Sequence, residues 1–180
     1  MSAFDDALRF LLDHEGEWGK VPGDLGGKTR WGISSVAHPE IDLDKLTISD
    51  VSVIYRTRYW DAIRGDEMLS QVARVVFDRA VLDGAADAVR DLQDLFGLNP
   101  DGKVGSHTLE AVFDYGLGPR AIAHRLLQRW AVELAHRCQQ SAVKRNALPG
   151  WWVRTVDLAF EIGQDPGEVE LAHPVEPKTA

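Results

Sequence analysis

Residues 3–34 read AFDDALRFLLDHEGEWGKVPGDLGGKTRWGIS, and the change of character half-way along this stretch decides the fold. Its first half is helical in period: Phe4, Ala7, Leu8, Leu11 and Leu12 fall on one stripe, and Ser2 with Asp5 fits a capping box at its start. Glu15 continues that apolar stripe. Gly16 follows at once, and glycine reaches the left-handed backbone that ends helices, so Glu15 is expected in the last turn. The second half holds glycines at 16, 19, 23, 26, 27 and 32 among Trp18, Pro22, Asp24 and Trp31, which predicts tight loops or a small β-hairpin. A carboxylate that ends a helix against a glycine-rich loop is where a site is expected.

Outward from this stretch the pattern stays helical. Thr47 and Asp50 fit a second capping box, for a helix through Ile54, Tyr55, Tyr59 and Trp60 that ends near Gly65. From Met68 to Leu82 apolar residues cover most of the circumference, which predicts a central helix surrounded by others. A further amphipathic helix spans Ala85 to Phe96, Asn99-Pro100-Asp101-Gly102 is a turn, and Ser106 is placed to cap a short helix through Leu109 and Val112. Pro119 suits the first turn of a long helix carrying Ile122, Leu126, Leu127, Trp130, Leu134 and Cys138, which fades near 146–150. A last helix is expected from Trp151 to Ile162. Beyond Gly163 the composition turns to Pro, Glu and Asp, as in a disordered tail.

Composition excludes several classes of function. A net charge of -8 opposes a phosphate-backbone partner, so nucleic acid is not expected. The single cysteine, Cys138, rules out an intramolecular disulfide and is read as core, because His136 two residues away does not face it on a helix. No stretch of about 18 apolar residues is present, so no membrane span is expected, and the start of the chain lacks the basic and apolar segments of a secretory signal. The histidines show no ligand spacing with cysteines or paired acids, so no metal or other cofactor is expected.

The carboxyl end of a helix carries partial negative charge, and an apolar stripe adds desolvation. Both favour the protonated form of Glu15, as a glycosidase acid requires in order to deliver a proton to the leaving oxygen of a sugar bond. His14-Glu15-Gly16-Glu17-Trp18, followed by Asp24-Leu25-Gly26-Gly27-Lys28-Thr29-Arg30-Trp31-Gly32-Ile33-Ser34, resembles the glycoside hydrolase family 108 muramidases. The likeness extends through Ile54-Tyr55-Arg56, Tyr59-Trp60, Val76-Phe77-Asp78 and Leu92-Gln93, and Gly150-Trp151 with Arg154 resembles the segment that closes the family. Three positions depart from the pattern: Glu17 stands where glycine is usual, Leu25 where proline is, and Leu82 where an asparagine is common, with Asp83 beside it able to take part of the polar role.

The resemblance implies a peptidoglycan hydrolase that cuts the β-1,4 bond between N-acetylmuramic acid and N-acetylglucosamine. Glu15 is the expected acid, with Asp24 and Thr29 holding the attacking water. Read structurally, Asp24 is instead a turn former and Thr29 a hydroxyl that braces the loop. Trp18, Gly26, Gly27, Trp31 and Asp83 are the expected substrate contacts, the tryptophans because a flat ring with a polar edge suits a sugar face. The expected partner is the glycan strand, with a holin or secretion apparatus supplying the route from cytoplasm to cell wall or periplasm.

Asp101-Gly102-Lys103-Val104-Gly105-Ser106-His107-Thr108 looks like a loop of peptidoglycan-binding domains, yet its glycines and Thr108 are explained by folding alone. The expected fold is mainly α: a lysozyme-like helical domain at 1–90 with a small β-hairpin in the glycine-rich loop, a helical peptidoglycan-binding-like region at 91–163, and a disordered tail at 164–180. A lytic transglycosylase using the same glutamate, and a non-catalytic wall-binding protein, are the alternative readings.

Overall fold

Helix α1 (Ala3–Glu15) begins where the sequence sets its cap: Ser2 Oγ accepts from Asp5 N at 3.2 Å and Asp5 Oδ2 accepts from Ser2 N at 2.8 Å. The structure, a computed structural model, describes residues 2–19, 27–36, 38–140 and 142–164, without the side chains of 138, 140 and 142–148. The other helices are α2 (Ile48–Tyr55), α3 (Ser70–Asp83), α4 (Ala85–Leu95), α5 (Ser106–Asp114), α6 (Pro119–Gln140) and α7 (Ala142–Gln164). Three two-residue strands, β1 (Trp18–Gly19), β2 (Thr29–Arg30) and β3 (Ile33–Ser34), form an antiparallel sheet in the order β1-β2-β3. The architecture is the mainly helical, lysozyme-like one that the sequence predicts.

Helix α3 is the central helix: every residue from Gln71 to Ala80 is buried. Helices α1, α4 and α6 pack on it, and α7 packs on α6. Phe4, Trp60 and Phe77 meet edge to face, with centroids 5.5 to 6.1 Å apart, and anchor α1 to α3. The buried apolar residues form one continuous cluster from Phe4 to Ile162, drawn from both halves of the chain. Among the described residues no helix is long and apolar enough to cross a membrane.

Three expectations are corrected. Helix α2 stops at Tyr55, and Arg56–Trp60 is a π-helical turn in which Asp61 N bonds Arg56 O at 2.9 Å. The wider turn lets Tyr55 and Trp60, five residues apart, both reach the core. The last helix does not start at Trp151: α7 runs from Ala142 through Pro149 to Gln164, so the proline loses one backbone bond without ending the helix. Ser106 is the first residue of α5 and not its cap; Gly105 holds that position and no side chain caps the helix. Residues 165–180 and the Cys138 side chain lie outside the described parts.

Candidate active site

The end of α1 and the turn of the small sheet meet at Glu15. Gly16, with φ of 70°, closes the helix by donating its N–H to Leu12 O at 3.2 Å. Strands β2 and β3 pair Arg30 with Ile33, so Trp31 and Gly32 form a two-residue hairpin turn with φ of 47° and 78°. Positive φ at both central residues is the turn whose twist matches its flanking strands. It suits glycine but strains a tryptophan. Tyr55 holds the strained residue by donating its hydroxyl to Trp31 O at 3.0 Å, and the Arg30 guanidinium lies 4.2 Å from the Trp31 ring centre. A Cβ on Gly32 would sit 3.1 Å from Glu15 Cγ, 3.2 Å from Glu15 Cδ, and against the Tyr55 hydroxyl. The turn therefore presses a bare backbone against the glutamate.

From the other side comes Arg154 of α7, itself 5% exposed. Its Nη1 donates to Glu15 Oε1 at 2.6 Å and its Nε donates to Asp78 Oδ1 at 2.6 Å. Asp78, on the central helix, is buried, and its Oδ2 has no hydrogen-bond partner among the described residues. Burial pushes the Asp78 carboxyl above its ordinary value, with Arg154 opposing and Glu15 adding to the rise. Burial alone would lower Arg154, but Asp78 and Glu15 beside it raise it on balance, so it stays a cation. Burial, reinforced by Glu15, likewise pushes the Tyr55 hydroxyl far up, which keeps it a neutral donor. With both acids ionised the three charged groups carry one net negative charge; a single proton makes them neutral. The Glu15 side chain keeps 28% of its surface exposed, so the carboxyl can reach a ligand.

The remaining candidates divide by location. Trp18, Gly27 and Lys28 line an open hollow on the sheet together with Gly19. Trp18 is 45% exposed, with Lys28 Nζ 4.1 Å and the Arg30 guanidinium 4.8 Å from its ring centre, so cations already lie over it. Thr29 donates its hydroxyl to Gly19 O at 3.0 Å, bracing β1 against β2 and leaving its oxygen free to accept. Trp31 is partly buried in the hairpin turn. Asp24 and Gly26 lie outside the described residues. Asp83, at the end of α3, is held in ion pairs: Arg79 and Arg137 bind it, the latter at 2.6 Å, in a group with Asp91 and Glu133 that joins α3, α4 and α6. No described contact links Asp83 to Glu15. Among the described residues no group of three His, Cys, Asp or Glu side chains could hold a metal.

Glu17, unusual by the family pattern, has a local job: its Oε1 accepts from Arg30 Nη2 at 3.1 Å and its backbone O accepts from Trp31 N at 3.0 Å. Leu82 packs against the core, as does Trp151. The loop at 99–108 is tied inwardly: the buried Gln93 amide donates to Asp101 Oδ1 at 2.8 Å and Lys103 O at 3.0 Å, and accepts from Gly102 N at 2.9 Å.

Sequence reasoning assigned no site role to Arg154, Asp78, Tyr55 or Gly32. One signal for Asp78 was available, since an acid within a helix apolar all round must find a buried partner.

Residues 8–84 match the glycosyl hydrolase 108 family. They form a glycosyl hydrolase 108 domain. A solved structure, Brucella abortus SagA, superposes with a TM-score of 0.77 at 26% identity, covering 89% of this chain and 94% of that one. No curated protein matches the chain. The glycosyl hydrolase 108 domain makes the chain a glycoside hydrolase, and domain and fold together make it a peptidoglycan hydrolase. Glu15, Asp78, Tyr55 and Gly32 all fall inside the domain, whereas Arg154 reaches the glutamate from beyond its end.

Proposed function

We propose that the chain is an N-acetylmuramidase in which Glu15 protonates the leaving oxygen of the β-1,4 bond between N-acetylmuramic acid and N-acetylglucosamine. The observation that carries this reading is the setting of Glu15: a partly exposed carboxyl at the end of a helix, with one oxygen fixed by Arg154 and its flank pressed by Gly32. A carboxyl so fixed meets the glycosidic oxygen in a single orientation, which is the larger part of what a positioned acid supplies. The Thr29 oxygen, its hydrogen given to Gly19, can accept from a water on the opposite sugar face. Asp24 is the base that the sequence offers for that water, and the route is inverting. Trp18 and Gly27 border the hollow where the glycan would run, and the cell wall is then the place of action.

Mass spectrometry of muropeptides released from purified sacculi tests the reading. Products with intact reducing N-acetylmuramic acid ends are expected. Anhydro ends would make the protein a transglycosylase, reducing N-acetylglucosamine ends a glucosaminidase, and no release a wall-binding protein.

A further inference from the structure

Helices α1 and α7 are tied together twice at one level. The first tie is Arg154 to Glu15. The second joins residues close to each: His14, immediately before Glu15, places Nε2 3.0 Å from Oδ2 of Asp157, three residues after Arg154. The other ring nitrogen of His14, Nδ1, lies 2.9 Å from Phe10 O, and the ring packs on that of Phe10 with centroids 4.3 Å apart. A carbonyl and a carboxylate only accept, so both contacts are hydrogen bonds only when the ring carries a hydrogen on each nitrogen. The imidazolium then bridges the last turn of α1 to α7. On α7, Arg154, Asp157 and Glu161 repeat at i, i+3 and i+7 and so share a face. Each meets a partner across the helices: Arg154 meets Glu15 and Asp78, Asp157 meets His14, and Glu161 meets Arg74.

We infer that His14 and Asp157 are positioning residues for the hydrolase: their bond sets the level at which α7 docks on the end of α1, and so where Arg154 Nη1 lands on Glu15 Oε1. Neither residue touches the scissile bond; both act through Arg154. The pair is 21% and 51% exposed, and ion pairs with that access to water add little to global stability. Its effect on the site is therefore separable from its effect on folding. The inference rests on Glu15 being the acid.

The test measures kcat and KM on sacculi, with thermal midpoints, for Asp157→Ala, Asp157→Asn, His14→Gln and Glu15→Gln, and for Asp157→Ala combined with Arg154→Lys. Asp157→Ala is expected to lower kcat about 3- to 10-fold, with KM within about twofold and the midpoint nearly unmoved. Asp157→Asn, whose amide oxygen still accepts from Nε2, should recover part of the loss. In the Arg154→Lys background Asp157→Ala should cost less than about twofold more, because the two changes act through one contact. Parental kcat in Asp157→Ala and His14→Gln, a rise in KM alone, or an undiminished loss in the Arg154→Lys background would each overturn the inference. An inactive Glu15→Gln beside fully active His14 and Asp157 variants overturns this inference alone. Digestion by Glu15→Gln overturns the reading of Glu15 and this inference with it.

Discussion

Gly32 has no side chain, and Glu15 occupies the space beside it. A methyl group there would meet Glu15 Cγ at 3.1 Å and would have to be carried at φ of 78°. Gly32→Ala is therefore expected to lower kcat by about tenfold or more, since small misplacements of an acid are costly, and to cost roughly 1–3 kcal/mol of stability. Gly16→Ala is the control: its φ is 70°, but nothing lies within 4 Å of the added carbon. It should lose stability with a far smaller effect on kcat, and parallel kinetics and thermal melts of the two variants check the contrast. Arg154 carries a different load. Arg154→Ala leaves Asp78 buried without its counter-charge, which is expected to destabilise the fold by about 3–5 kcal/mol, read by urea denaturation. Glu15 and its place at a helix end were legible from spacing alone, because capping and apolar period are local. Arg154 lies 139 positions from Glu15, a separation that no local pattern spans.

Among the elements, the ends of helices carry a pH dependence. Asp5 and Asp50, the acidic members of the two capping boxes, are held below the ordinary aspartate value: Asp5 by hydrogen bonds from the Ser2 backbone and side chain, Asp50 by those from the Thr47 side chain and backbone. Asp101 is held down by the Gln93 amide and the Lys103 N–H. A carboxyl lowered in the folded state adds stability above its unfolded value, near pH ~4, and loses it as the pH falls through the folded value. Melting midpoints should accordingly drop below about pH 4, and Asp50→Asn should differ from the parent more at about pH 7 than at about pH 2.5. Equal differences at both would remove Asp50 from the acid response. Both boxes and the central helix were readable in the sequence, the boxes from four adjacent residues each and α3 from apolar residues on every side. The π-helical turn was not, since a sequence that reads as helix does not say which turn widens, nor was the run of α7 through Pro149, since a proline in a helical pattern ordinarily marks a boundary.

For the whole molecule, the division at residue 90 that the sequence suggests meets a core drawn from both sides. Leu158 and Ile162 of α7 belong to the same cluster as Leu11 and Phe77, and α7 also brings the arginine to the glutamate. A fragment of residues 1–90 lacks Arg154 and exposes the face of α3 that α6 covers, so it is expected to release no muropeptides. Turbidity loss with such a fragment at a rate near that of the full chain would show that α7 is dispensable. What the sequence conveyed at this scale was the family pattern, around Glu15 and again at Gly150-Trp151 with Arg154; what it could not convey was that Arg154 reaches Glu15.

The central claim, that Glu15 is the acid, is met most directly by one substitution. Glu15→Gln keeps the size of the side chain and can still bond to Arg154 through its amide oxygen, yet it has no carboxyl proton to deliver. Release of muropeptides from purified sacculi by Glu15→Gln should fall to background, while sacculus binding and the thermal midpoint stay close to those of the parent. Digestion at or near the parental rate by the folded variant would contradict the account.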